Sequence, residues 1–422
     1  VPRTTGLVEH SSASSRPRLR IALTVYRGNP TSGGQGVYTA ELARHLVARG
    51  HEVTVVAGPP YPVLDPSVGL VPLGGLDLLR EPDPFRRPGP EELTDAVDLY
   101  EVALMATGAF PDPRAFAWRL ARWWRREGSR FDVIHDNQSL TWVHAELVHR
   151  GVPVVASVHH PITVDRSLAL AAAGSLRERI GLRRFFSFIP AQARVARVIP
   201  RVLTVSQQSA RDLARELAIE RSRIRVVPIG VDAEVFRPLE GRQRSRTLLA
   251  TTASADVPLK GLGVLLAALA RLPQEVELVV MGPRRADGPA EGLIRHLGLA
   301  GRVHLVGSVS RERMVEVYAE AACAVVPSMY EGFSLPAVEA MACGVPLVAT
   351  TGGALREVVD GLAPQVRPGD AVALAQAIEQ VLADPDAALE RAAKARERVL
   401  ATYSWGEAAR RTEAVYREVL GT

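Results

Sequence analysis

The chain has 422 residues, 47% of them apolar and 23% charged, which is room for two ordinary domains and no composition for general disorder. Its formal charge of +5 is a mild field, supplied almost entirely by arginine, that suits phosphorylated ligands or anionic headgroups. With no RNA-binding aromatic signature, no paired Cys/His spacing and no basic region joined to heptads, nucleic acid is excluded as the expected partner.

Residues 1–18 read as a loose polar arm without the apolar core of a secretion signal. No later window approaches the ~20 uninterrupted apolar residues of a membrane span. From residue 19 short apolar runs alternate with helical patterns: "RIALTV" from Arg20, "EVTVVA" from Glu52, "FDVIHD" from Phe131, "PVVASVH" from Pro153, "RVLTVS" from Arg201, and "RIRVVPIGVD" closing at Asp232. These runs do not alternate strictly, as expected of parallel strands covered on both faces. The stretch Val231 to Arg246, with Pro238, Gly241 and four arginines, interrupts the rhythm. It resumes with "RTLLATT" from Arg246, "VELVVMG" from Val276, "RVHLVG" from Arg302, "CAVVPS" from Cys323 and "PLVATT" from Pro346. The expectation is an α/β chain of two doubly wound, Rossmann-like domains facing across a cleft, 19–236 and 245–403. A final helix, 404–422, is expected to pack back toward the first domain. Cys323 and Cys343 lie in apolar surroundings and read as reduced core residues of a cytoplasmic protein.

Several strings carry chemistry. "SGGQG" follows the first strand and opens a helix, so Gly33 and Gly34 let the backbone approach a phosphate. A dinucleotide-binding dehydrogenase would need G-x-G-x-x-G here and an acid ending the second strand, and "VVAGPP" has none. Asp136 and Asn137 sit just beyond "VIH" and could hold an acceptor, while His135 belongs to the core. "SVHHP" brings His159 and His160 to a strand end. Past the strand "CAVVPS", Glu331 begins "EGFSLPAVE": Ser334 can cap a helix starting at Leu335, and Pro336 is tolerated in its first turn. Free N–H groups at such a helix start form an anion site suited to a diphosphate. Glu339, a turn further on, could accept hydrogen bonds from vicinal hydroxyls such as those of a ribose, and Glu331 from a sugar beyond the phosphates. "DPD" at Asp384–Asp386 lies between two helices and reads as a capping turn rather than a metal site.

The string "PSMYEGFSLPAVEAMACGVPLVATTGGALREVVDG" resembles the signature of family 4 retaining glycosyltransferases, built on the GT-B fold. That family's Glu, seven residues, Glu motif is matched by Glu331 and Glu339. The likeness runs from "TSGGQGVYTAELARHLVARGHEVTVVA" to "YSWGEAARRTEAVYREVL", and is weakest from about Pro60 to Arg130. The resemblance implies that Glu339 holds the donor ribose, that Glu331 holds the donor sugar, and that the amides of Phe333, Ser334 and Leu335 touch the diphosphate or sugar. It implies that Lys260, in "PLKGLGVLL" and expected to open a helix, neutralises charge on the leaving diphosphate, and that His159 contacts the sugar. The family's "GR" before this lysine is replaced by "TTASADVP", with Arg284 or Arg285 as substitutes for the lost cation. No metal and no cofactor are expected beyond the nucleotide-sugar co-substrate.

Two first-domain segments bear on the acceptor. "RAFAWRLARWWRREGSR", Arg114 to Arg130, mixes three tryptophans with six arginines, and Arg177 to Arg201 joins arginines to phenylalanines. Either they lie on an anionic membrane, with a lipid-linked acceptor, or they cover the sheet with arginine-rich outer faces, with a small-molecule or glycan acceptor. The implied activity is hexosyl transfer from a UDP- or GDP-sugar; the alternatives are a nucleotide-sugar 2-epimerase of the same architecture and a silent sugar-nucleotide-binding protein.

Overall fold

The computed structural model describes residues 17–30, 34–80, 85–253, 255, 257–284 and 288–422, so most of the N-terminal arm, Gly33 and Arg285 lie outside the described residues. The first sheet consists of β1 (Arg20–Val25), β2 (Glu52–Ala57), β3 (Gly69–Pro72), β4 (Val133–Asn137), β5 (Val154–Ser157), β6 (Arg201–Thr204) and β7 (Ile224–Val226). All pair in parallel, in the order β3-β2-β1-β4-β5-β6-β7. The second sheet repeats the plan with β8 (Leu248–Thr252), β9 (Glu277–Met281), β10 (Val303–Gly307), β11 (Cys323–Val326), β12 (Leu347–Thr350) and β13 (Gln365–Val366). Its order is β10-β9-β8-β11-β12-β13. Each order reverses beside its first strand, the switch point at which open parallel sheets bind ligands.

The central strands are apolar on both faces because helices cover both. Ile21, Ala22, Leu23 and Val25 of β1 are fully buried, as are Ala324 and Val325 of β11 within 1%. The helix Asp112–Glu127 contains most of the Trp/Arg string, and it buries Phe116, Ala117 and Leu120 against the first sheet. Trp123 and Trp124 lean on the same core and only Trp118 projects, half-exposed, so this segment is a sheet-covering helix. The second basic segment splits. Helix Ile189–Val198 packs on the sheet, whereas Leu176–Phe185 buries no residue.

The last helix, Trp405–Leu420, lies on Gln35–Ala48 of the first domain. The buried Tyr416 hydroxyl hydrogen-bonds His135 Nδ1 at 2.6 Å, and Glu413 pairs with Arg49. The chain thus crosses back and ties the two sheets together at their rear. Within β4, His135 bonds Ser157 through Nε2 at 2.8 Å, a satisfied core histidine.

Candidate active site

The segments that follow β5 and β6 meet the loop that follows β11, and the candidate site forms beside this contact. Ser328 Oγ donates to Glu331 Oε1 at 2.7 Å, and Lys260 Nζ donates to the same oxygen at 2.9 Å. Glu331 is buried, and its loop is held by a backbone bridge to Gly353. Lys260 does not open a helix, contrary to the sequence reading. It ends the 3₁₀ turn Pro258–Lys260, and helix Leu262–Leu269 begins only after Gly261. Gly261 has φ 68°, and a Cβ there would lie 2.0 Å from the Pro327 carbonyl oxygen. This close approach, open to glycine alone, breaks the helix start and sets the lysine against Glu331.

Ser334 takes φ 89° and ψ 77°, a strained left-handed conformation that costs about 1–3 kcal/mol. The strain turns the chain into helix Leu335–Ala342, with Ser334 Oγ accepting from the Ala337 N–H. The Phe333 ring is buried edge-on against Tyr403 at 5.2 Å, leaving only its backbone for a ligand. Among the described residues the amides of Phe333, Ser334 and Leu335 have no acceptor, so the helix start presents free N–H groups. One turn on, Glu339 is half-buried, and desolvation pushes its carboxyl up to about 7 against the opposing pull of Arg311.

The facing wall comes from the first domain. Asn137 donates from Nδ2 to Thr39 Oγ1 at 2.8 Å and to the Gln35 carbonyl at 3.2 Å, which leaves its Oδ1 to accept from His159 Nε2 at 2.8 Å. His159 therefore carries its proton on Nε2. Its Nδ1 is buried with no donor among the described residues. Burial, helped by the neighbouring His160, pushes this imidazole down to about 3, so it stays neutral and makes a poor base near pH 7. His160 pairs with Asp165 at 2.8 Å.

Three expectations need correction. Asp136 is fully buried and accepts from Thr24 Oγ1 and the amides of Ser139 and Leu140, so it shapes the turn after β4 and does not face an acceptor. Asn137 is likewise fully buried, with its Oδ1 against His159 Nε2. Arg284 reaches Glu291 at 2.6 Å, an ion pair within its own domain, and offers no ready replacement for the missing cation. Gly34, by contrast, stands at the start of helix Gln35–Ala48 with φ 73°. The DPD string is a cap: Asp384 accepts from the Ala387 N–H.

The two walls touch directly, through residues that the sequence did not mark. Ser206 Oγ donates to the Gly332 carbonyl at 2.6 Å, and Ser209 Oγ lies 3.0 Å from the same oxygen and 2.9 Å from that of His159. The first amides of helix Gln207–Glu216 donate to both oxygens of Glu357 from the other domain. Arg311 joins Glu41 across the gap at 3.0 Å and also lies in the field of Glu339. No motif betrays these groups, because serines at a helix start and single charges on a helix look like ordinary caps and surface.

The model for Glycosyltransferase Family 4 matches residues 32–235, and that for Glycosyl transferases group 1 matches 246–384. The chain is 45% identical over 408 residues to the MMP alpha-(1->4)-mannosyltransferase of Mycolicibacterium hassiacum, covering 95% of this chain and 98% of that protein. It is 31% identical over 441 residues to a D-inositol 3-phosphate glycosyltransferase of Xylanimonas cellulosilytica, covering 99% and 97%. Sucrose-phosphate synthase from Thermosynechococcus elongatus superposes with a TM-score of 0.75 at 25% identity, over 96% of this chain and all of that one.

Proposed function

The chain belongs to the family 4 glycosyltransferases, with the GT-B fold, and we propose that it transfers a mannosyl unit, with retention and without metal, from a nucleotide-diphosphate sugar to an acceptor hydroxyl. The observation that carries this reading is the juxtaposition of Lys260 and Glu331 beside the free amides of residues 333–335. The amides and Lys260 would take the diphosphate, Glu339 the ribose hydroxyls, and Glu331 the sugar. As the bond to the diphosphate loosens, charge grows on the leaving oxygen and an oxocarbenium-like sugar develops. Lys260 and the oriented amides oppose that charge without reorganising, which is the main source of rate in such a site. His159 is neutral and weakly basic, so it positions the sugar while the departing phosphate takes the acceptor's proton. The mannosyl assignment rests on the 45% identical relative. The exposed helix Leu176–Phe185, with Arg177, Arg179, Arg183 and Arg184, supports peripheral contact with an anionic membrane as part of the same reading, in a cytoplasmic setting. Among the described residues no helix is long and apolar enough to cross a membrane.

The first test is thermal stabilisation by UDP, GDP and ADP in excess EDTA. A nucleotide at a hundred times its Kd should add about 2.7 kcal/mol of stability. Stabilisation by one of them without metal identifies the donor base, and the stereochemistry of the product is then read by NMR. Absence of any shift would sink the reading, and turnover without an acceptor would point to an epimerase.

Glu339 supplies a second test. Ribose hydroxyls donate to a carboxylate, so nucleoside binding favours the ionised form and lowers a carboxyl that burial holds at about 7. Binding should therefore release protons near pH 7, and affinity should weaken as pH falls below it. Calorimetry with the bare nucleoside in two buffers of different ionisation enthalpy reads the released protons. Glu339→Gln should abolish the release; an unchanged proton count would remove Glu339 from the ribose site.

A further inference from the structure

The last helix, Trp405–Leu420, follows the second sheet in sequence, yet two of its side chains lead into the first domain's wall of the site. The Tyr416 hydroxyl meets His135 Nδ1 at 2.6 Å, and His135 Nε2 meets Ser157 Oγ at 2.8 Å. Ser157 Oγ in turn meets the Tyr38 hydroxyl at 2.8 Å. The Tyr38 ring then stands edge-to-face with the His159 imidazole, centroids 4.5 Å apart. Trp405, at the start of the same helix, also rests on the Tyr38 ring, at 5.9 Å. The line joins four elements: helix Gln35–Ala48 with Tyr38, β4 with His135, β5 with Ser157, and the last helix.

Tyr38, His135, Ser157, Trp405 and Tyr416 are all buried, none more than 5% exposed. Interiors packed at crystal density transmit a displacement rather than absorb it. Burial holds His135 down at about 3, so its imidazole is neutral and has a single N–H. Its two bonds are therefore ordered. Whichever of Tyr416 and Ser157 donates to it, the other accepts, and each bond polarises the next. Deleting the Tyr416 hydroxyl leaves one His135 nitrogen unmet and unpins the imidazole, with Ser157 and Tyr38 beyond it.

His159 needs such support. Asn137 Oδ1 meets its Nε2, while Nδ1 has no partner among the described residues, so one hydrogen bond sets the side chain. A single bond leaves the imidazole plane free to tilt, and the Tyr38 ring against it stops the tilt. We propose that Tyr38 is a positioning residue for His159, and that the last helix, through Tyr416, His135 and Ser157, holds Tyr38 in place and so completes the reaction centre. The inference rests on the reading that His159 positions the sugar, and adds the groups that position His159.

NMR of the donor-free, histidine-labelled protein reads the coupling without turnover, with the His159 ring resonances identified by their loss in His159→Asn. Tyr38→Leu, which removes the ring, sets the full displacement. Tyr416→Phe deletes only a hydroxyl; it should move the same resonances in the same direction, and add nothing once Tyr38 is leucine. Unmoved His159 resonances in Tyr416→Phe overturn the proposal, as does a displacement that persists undiminished in the Tyr38→Leu background. Ser157→Ala gives the same readout should Tyr416→Phe fail to fold. In turnover of GDP-mannose with methyl α-D-mannopyranoside, Tyr38→Phe and Tyr416→Phe should each lower kcat about tenfold and keep the donor KM within about twofold. The double variant should lose no more than either single one, as members of one chain do; losses that multiply overturn the chain. His159→Ala separates the two readings. Full activity there removes His159 from the reaction centre, and this inference with it, whereas a loss there beside full activity in both tyrosine variants counts against this inference alone.

Discussion

Replacing Lys260 with alanine is expected to lower kcat by about 10²–10³-fold, or about 2.7–4 kcal/mol of lost transition-state stabilisation, the scale for removing one oriented group from developing negative charge. Among the described residues Lys260 is the one cation hydrogen-bonded to Glu331, at 2.9 Å, and Arg284 is bound to Glu291. On the proposed reading the leaving diphosphate depends on this lysine and on the amides at the start of helix Leu335–Ala342. The fold should survive, because Lys260 is 29% exposed and Glu331 keeps its bond from Ser328. A pair this open contributes about 1 kcal/mol or less. A diagnostic control follows from the chemistry. With the lysine gone, millimolar Mg²⁺ should recover part of the rate by neutralising the diphosphate, a dependence that the parent enzyme would lack. Rates within threefold of the parent's, with or without Mg²⁺, would remove Lys260 from the reaction.

Much of this arrangement was legible in the sequence, for reasons that differ by element. β1, β8 and β11 are continuous apolar runs because helices cover them on both faces, and burial of that kind writes itself into composition. β3, "GLVP", did not show. It is an edge strand carrying glycine and proline, three of its four residues are exposed, and nothing forces an apolar pattern on it. β13 is two half-buried residues and leaves no periodic trace. The Glu331 to Glu339 string was legible because a helix start, its cap and two acids are contiguous. Asp136 misled because a carboxylate at a strand end serves equally to face a ligand or to tie its own turn, and only the three donors around it decide which. The buried ion pairs of Arg27 and Arg119 were invisible for a different reason. Arg27 lies just after β1, whereas Asp77, Glu101, Asp112 and Arg119 lie in the segment where the family likeness is weakest, and the fold alone brings them together.

Gly332→Ala should act on catalysis through the approach of the two domains, with little cost to either. A Cβ at 332 would lie 2.6 Å from the His159 carbonyl oxygen and 3.1 Å from His160 Cβ, so the facing walls have to separate by several tenths of an ångström or more. Both fixed points are backbone or strand-end atoms, which cannot swing aside as a long side chain would. Separation stretches the Ser206 bond to the Gly332 carbonyl and draws His159 away from Glu331's loop. Misplacement on the scale of 1 Å costs on the order of 10²-fold in rate when positioning is the source of catalysis. On the proposed reading the donor's phosphates and ribose rest on the second domain, so donor affinity should change little while kcat falls about 10²-fold. X-ray scattering should show a larger radius of gyration with both domains folded. Ser206→Ala makes the complementary test: it loosens the same contact without adding bulk, so a smaller loss of kcat in the same direction is expected. Full activity in Gly332→Ala would mean that the reaction does not require the two walls to meet as they do here.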